Sequence, residues 1–239
     1  MERLQKVIAQ SGMTSRRKAE QLITEGKVFV NGKKITELGT KVDLHQDEVV
    51  VNGIPIEKEA PVYFLLYKPA GVISAASDDR GRKVVTDYIE TDKRIFPIGR
   101  LDSDTSGLLL LTNDGEFANL LMHPKYKVYK TYIAKVEGVP LRETVKKLER
   151  GIRLEDGKTA PAKVKVIRSD IKKGTSIVEI SIREGRNRQV RRMFEAVGHP
   201  VLKLKREQYG ALTLKGLNAG EYRELKPHEV KRLRELVVT

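Results

Sequence analysis

Apolar positions in the first sixty residues recur first at helical spacing and then in alternation. Leu4, Val7 and Ile8 mark one face of a short helix that Gly12 closes. Ser15 is placed to cap a second helix, in which Ala19, Leu22 and Ile23 form the apolar stripe and Gly26 takes the C′ position. The stretches "KVFVNGKKI" and "DEVVVNGIPI" then set strand residues around Asn31-Gly32 and Asn52-Gly53. Such a pair is the strongest short hairpin signal a sequence carries. "EKEAP", residues 57–61, is charged, ends in proline and reads as a linker. The pattern therefore predicts a small unit over 1–59, two helices with short strands.

From residue 60 to 239 the pattern predicts strands at 62–67, 129–136, 162–168, 176–183 and 212–214, and helices at 115–122, 141–150, 189–197 and 227–236. The two kinds of element do not alternate regularly. That favours an α+β domain with a mixed, mainly antiparallel sheet flanked by helices over a doubly wound one. Leu108–Leu111 must be largely buried, and Thr105-Ser106-Gly107 before them reads as a turn.

Charge adds a partner. The chain has 239 residues and a formal net charge of +14. Residues 1–34 hold 8 Lys/Arg against 3 Asp/Glu, residues 35–59 hold 2 against 6, and residues 60–239 hold 36 against 23. A polyanion is the expected partner. Arg16, Arg17 and Lys18 open the second helix, and Lys27, Lys33 and Lys34 flank the hairpin, where they could grip a phosphate backbone. The competing reading is a solvated helix face. With no cysteine, the chain can form neither disulfides nor thiolate metal sites. The longest apolar run, Val62–Tyr67, is far too short to span a membrane, and "MERLQKVIAQ" lacks the apolar core of an export signal. A cytoplasmic, monomeric protein is expected.

Three stretches could carry chemistry. In "GRLDSDTSGLLLLTNDGE", 99–116, Arg100 and Asp102 would share a face of an extended segment. An aspartate anchored beside a buried run is held rigidly, as a nucleophile or base must be. It could equally cap a turn. Asp102-Ser103-Asp104 is also a DxD that could chelate Mg²⁺, and paired carboxylates could serve a glycosidase. Neither finds a second half, because none of the four histidines sits at metal spacing and there is no glycine-rich phosphate loop. In "SIREGRNRQVRRMFEAVGHP", 181–200, a strand breaks at Gly185 and Asn187 can cap a helix burying Val190, Phe194 and Val197. Arg188, Arg191 and Arg192 lie on its other side, suited to an anion or to pairing with a carboxylate. In "KYKVYKTYIAKV", 125–136, lysines alternate with Tyr126, Tyr129 and Tyr132, a pattern that can stack bases and is also ordinary strand material.

Taken together, "GRLDSDTSGLLLLTNDG", "KTY" and "EGRNRQVRRM" resemble the signatures of the bacterial ribosomal RNA pseudouridine synthases that carry an S4 domain. Residues 1–59 resemble the S4 RNA-binding domain itself, leaving 60–239 as the catalytic domain. The resemblance spans nearly the whole chain. It implies isomerisation of uridine in ribosomal RNA without cofactor or metal, with Asp102 as the essential aspartate, Tyr132 packed against the target base and Arg191 paired with the aspartate. Arg188 is the second choice for that arginine. Leu204 would floor a uracil pocket to which Arg100 and Arg188 also belong. Arg16, Arg17, Lys18, Lys27, Arg186, Gln189 and Arg192 would contact RNA. The stretch 184–210 looks most like the large-subunit (23S) branch, acting on the RNA or on a pre-ribosomal particle. The same chemistry on 16S RNA, or a non-catalytic assembly factor, stands as the alternative.

Overall fold

The structure, a computed structural model, describes residues 1–238, which divide into two compact units. The first comprises Met1–Val62 with Glu90–Phe96 and Thr112–Gly115. Its elements are β1 (Glu2–Arg3), α1 (Leu4–Gln10), α2 (Arg16–Thr24), β2 (Val28–Val30), β3 (Lys33–Lys34), β4 (Lys41–Val42), β5 (Val49–Val51) and β6 (Ile54–Pro55). Ser15 caps α2 as its sequence position predicts, its Oγ accepting from the Lys18 N–H at 3.2 Å. Such a cap contributes about 1 kcal/mol. Both predicted hairpins form. Asn31 and Asn52 have φ of 51° and 50°, and the glycines after them 78° and 77°. Two successive left-handed residues match the twist of the flanking strands. The four strands β3-β2-β5-β6 form a small sheet, and Leu4, Val7, Ile8, Ala19, Ile23, Val28, Val49 and Val51 bury together as the unit's core.

The second unit comprises Tyr63–Ile89, Pro97–Leu111 and the described residues from Glu116 onward. Its strands are β7 (Tyr63–Lys68), β8 (Phe96–Ile98), β9 (Thr105–Thr112), β10 (Lys130–Glu137), β11 (Arg153–Leu154), β12 (Gly157–Lys158), β13 (Lys163–Asp170), β14 (Thr175–Ile182), β15 (Val201–Tyr209), β16 (Leu212–Thr213) and β17 (Tyr222–Glu224). Its helices are α3 (Gly115–Met122), α4 (Arg142–Arg150), α5 (Gln189–Ala196) and α6 (Pro227–Val238). The main sheet runs β13-β14-β10-β15-β9-β7-β17, with β16 on β15 and β8 on β9. The pair β15–β9 is parallel, while β10–β14, β10–β15, β13–β14 and β7–β17 are antiparallel. A mixed, mostly antiparallel sheet with helices is the fold class expected of the sequence.

Thr105-Ser106-Gly107 is not the predicted turn. It is the first part of β9, and Gly107 is there because β15 comes close. A Cβ at 107 would lie 2.6 Å from the Arg206 backbone nitrogen, at a φ of 119° that side chains rarely adopt. Leu108–Leu111 point alternately to the two faces of the sheet and all are buried. A strand covered on both sides reads as a continuous apolar run, which is why alternation was missing there. On β14 Val178, Ile180 and Ile182 alternate onto the face that packs against Val190, Met193 and Phe194 of α5. Burying each such side chain is worth about 1.5–3 kcal/mol.

Candidate active site

The segment entering β9 is fixed from both sides. Ser74 Oγ donates to the Leu101 carbonyl at 2.7 Å and accepts from the Leu101 N–H at 3.1 Å. The Gly71 N–H donates to the Ser103 carbonyl at 2.6 Å, and the Thr105 N–H to the Asp102 carbonyl at 2.9 Å. Lys68, the last residue of β7, is fully buried beneath this segment. Its Nζ donates to the carbonyls of Pro69 at 2.9 Å, Ser103 at 3.3 Å and Thr105 at 2.7 Å. Burial pulls its ammonium down to about 8, against the opposing pull of Asp104 and Asp102. Asp102 is thus held by its backbone, while its side chain stays 36% exposed. Lys68 and Ser74 were not among the residues singled out in the sequence. The available signal was a lysine ending an otherwise apolar strand, "YFLLYK", where a snorkelling surface residue is the usual reading.

The arginines arrive on α5. Its N-cap is Arg188, in the left-handed conformation at φ 48°, not the expected Asn187. A non-glycine residue in that region costs of order 1–3 kcal/mol and persists where neighbouring contacts hold it. Here they are carboxylates. Arg188 grips Asp104 with both terminal nitrogens at 3.2 Å and lies 3.4 Å from Asp102 Oδ2. Its hydrogen bonds hold Asp104 below the usual carboxylate range. Arg191, expected to pair with Asp102, instead donates to the Asp104 carbonyl at 3.2 Å and to Thr105 Oγ1 at 3.1 Å. Its nearest carboxylate is Asp104, 3.5 Å away. The ion pair to Asp102 therefore falls to Arg188, because the left-handed turn swings that side chain over the carboxylates. Periodicity along a helix could not show this, since Arg188 lies outside its regular part.

Three residues expected on RNA are engaged within the protein. Gln189 is buried: its amide oxygen accepts from the Arg186 N–H at 3.1 Å and its amide nitrogen donates to Glu184 at 2.8 Å. It closes the turn into α5 and is not a surface contact. Arg186 donates to the carbonyls of Gly157 at 3.0 Å and Lys158 at 2.7 Å. Arg192 forks onto Asp156 at 2.9 and 3.1 Å, holding that carboxyl down at about 2. Both arginines hold the β11–β12 turn while remaining partly exposed. Arg16, Arg17, Lys18 and Lys27 are exposed on the first unit, with Lys27 3.1 Å from Glu25.

The sheet forms the floor. Strand register sets Tyr132 of β10 beside Arg206 of β15, and Leu204 beside both Ala134 and Thr105. Lys130, two residues before Tyr132, pairs with Tyr209. A cleft of about 1040 Å³ opens over this face, lined by Arg100, Asp102, Tyr132, Arg188, Arg191 and Leu204 together with Lys130, Arg206 and Tyr209. Arg100 is exposed there, Leu204 buried. The structure thus collects in one cleft the catalytic and pocket residues expected from the sequence, drawn from the β9 entry, β10, the α5 entry and β15.

Comparison with known proteins fits this arrangement. The RNA pseudouridylate synthase family matches residues 62–196, and the S4 domain matches residues 2–49. This chain is an RNA pseudouridine synthase of the S4-bearing kind. Among synthases of this family it is 69% identical over 237 residues to the ribosomal large subunit pseudouridine synthase B of Bacillus subtilis (strain 168), covering 99% of this chain and 97% of that one. It is 40% identical to the ribosomal large subunit pseudouridine synthase B of Pasteurella multocida (strain Pm70), covering 99% of this chain and 70% of the other. A crystal structure of a pseudouridylate synthase superposes with a TM-score of 0.70 at 30% identity, covering 98% of this synthase and all of its counterpart. The family match contains Asp102, Tyr132, Arg188 and Arg191 and ends before Leu204 and Arg206.

Proposed function

We propose that this synthase converts uridine to pseudouridine in large-subunit ribosomal RNA, free or in a pre-ribosomal particle, with Asp102 as the group that acts at C1′. The observation that carries this is the framing of Asp102: the backbone is pinned at Leu101, Ser103 and Thr105 while the carboxylate faces an open cleft. A reacting carboxylate needs that combination of rigidity and access. The isomerisation breaks the C1′–N1 bond, turns the base and joins C5 to C1′. Two routes use the same aspartate: attack on C1′, or assistance to loss of the C2′ proton. Neither draws on a cofactor or a metal. Asp104, the other half of the DxD, is taken up by Arg188 and Arg191.

A uridine in folded RNA must leave its stack to reach the cleft. Tyr132 stacks on it there and Leu204 packs beneath it, a reading supported by both lining the cleft. Arg188 aims the aspartate, and Arg191 fixes the Asp104–Thr105 backbone behind it. Arg100, exposed in the cleft, is offered to the flanking phosphate. Arg16, Arg17, Lys18 and Lys27 of the S4 domain grip the RNA backbone elsewhere. The division of labour follows the domains, 1–59 for binding and 60–239 for chemistry. Among the described residues no helix is long and apolar enough to cross a membrane. The protein acts as a cytoplasmic monomer on this reading.

The test uses 16S and 23S transcripts carrying tritium at C5 of uridine, with chelator present. Wild-type protein releases tritium from 23S RNA, and Asp102→Asn releases none. Release by Asp102→Asn at the wild-type rate overturns the role of the aspartate. Release from 16S RNA alone moves the substrate to the small subunit, and binding without release from either transcript or from assembling subunits makes the chain an assembly factor.

A further inference from the structure

The cleft floor holds two cations for which the roles above have no use. Arg206 is buried; its Nε donates to the Leu108 carbonyl at 2.8 Å, but its Nη2 meets no acceptor among the described residues. Lys130 is also drawn in, with its Nζ 5.9 Å from the centroid of the Tyr209 ring, and Arg206 Cζ stands 5.3 Å from the same centroid. Among the described residues the carboxylate whose charge offsets Lys130 is Glu184, and it is already engaged. Its Oε1 accepts from the Ala160 N–H and the Gln189 amide, both at 2.8 Å, and its Oε2 faces Arg186 Nε at 3.5 Å. A buried arginine beside a half-buried lysine, with so little negative charge to offset them, is costly unless an anion joins them.

We infer that Lys130 and Arg206 stabilise the detached uracil as its anion, donating hydrogen bonds to the base oxygens when the C1′–N1 bond breaks. When that bond breaks, its electron pair leaves with the base and spreads over N1, O2 and O4. The sugar's deficit is met at C1′ by either Asp102 route. Neither cation transfers a proton. When C5 bonds to C1′ the base's electron pair becomes that bond, as the Asp102–C1′ bond breaks on one route or the proton returns to C2′ on the other. The C5 proton is then lost to solvent and N1 gains one, so substrate and product are isomers. Fixed donors aimed at developing charge in a dry site are among the strongest catalytic devices. Their placement fits, since Arg206 shares a sheet row with Tyr132 and lies two residues from Leu204 on the same face. The crowding is visible in Lys130 itself: burial, then the Arg206 charge, pull its ammonium down to about 8.

This inference rests on the proposed reaction at Asp102, and the two fail separately. Loss of tritium release in Asp102→Asn establishes the reaction whatever Lys130 does. The decisive comparison is single-turnover consumption of the target nucleoside in an rRNA transcript that wild type modifies, made with uridine or with 5-fluorouridine. Fluorine makes the base a better leaving group, so it needs less help. Lys130→Met and Lys130→Gln are expected to slow the uridine transcript about a hundredfold, with RNA affinity unchanged within about twofold. The deficit shrinks at least several-fold on the fluorinated transcript, and Lys130→Arg restores most of the rate. Equal deficits on both transcripts, an unaltered rate, or weakened RNA binding with normal turnover would each overturn the inference, the last by making the pair a phosphate site.

Discussion

Replacing Lys68 by methionine tests whether the frame beneath Asp102 matters to chemistry or only to folding. Methionine keeps most of the buried stem and removes the ammonium. The three carbonyls of Pro69, Ser103 and Thr105 lose a charge-assisted donor. Hydrogen bonds to a charged group are worth about 1.5–3 kcal/mol each. Against this stands the cost of burying the charge. The fall from 10.5 to about 8 corresponds to about 3 kcal/mol. The net loss expected at neutral pH is about 1.5–6 kcal/mol, a fall in Tm of about 5–20 °C for a unit of this size. The folded pKa lies below the unfolded one, so between pH 8 and 10.5 the unfolded chain binds the extra proton and wild type gains stability as pH rises. The stability gap between wild type and Lys68→Met therefore widens over that window. Single-turnover tritium release, measured well below the variant's Tm, should fall at least about tenfold, because the Ser103–Thr105 backbone that aims Asp102 is released. A stability gap constant from pH 8 to 10.5 would refute the buried ammonium. Unimpaired turnover in a destabilised variant would refute the frame.

Arg188→Ala removes the ion pair to Asp102 and should lower kcat about tenfold or more with RNA affinity nearly unchanged, whereas a larger loss in Arg191→Ala together with a silent Arg188→Ala would return the pairing to Arg191. Glu229 is held down at about 2 by its hydrogen bonds with Arg223, at 2.7 and 2.9 Å. That stabilisation is present above about pH 4.5 and is lost as pH falls toward 2; Glu229→Gln should cost about 1 kcal/mol at pH 7, solvent screening included, and nothing below pH 2, as read by urea melts across pH. Arg16→Ala with Arg17→Ala should weaken RNA binding and reduce the salt slope by about 2 while leaving the melt intact; an unchanged slope would remove α2 from the RNA interface.

Local signals were decisive wherever a single element makes its own structure. The Ser15 cap, the two Asn-Gly hairpins and the alternation of Val178, Ile180 and Ile182 each act through neighbours in the chain, and each element forms where its residues predict. Asp102 stood out for the same reason, as a carboxylate locked beside a run that had to be buried, and the family signatures around it are themselves contiguous. What the chain could not reveal depended on partners far away in sequence. Gly107 reads as part of a turn until β15 is laid beside it, roughly a hundred residues later, and the clash with the Arg206 backbone explains the glycine. Gln189 reads as polar surface until the α5 turn folds over it, and Arg186 and Arg192 read as RNA contacts until the β11–β12 turn arrives beneath them. The choice of Arg188 over Arg191 for Asp102 turns on one left-handed residue, a conformation no propensity predicts for arginine. Lys68, Lys130 and Arg206 are ordinary surface residue types in the sequence; only the assembled sheet buries Lys68 and Arg206 and half-buries Lys130 beside them.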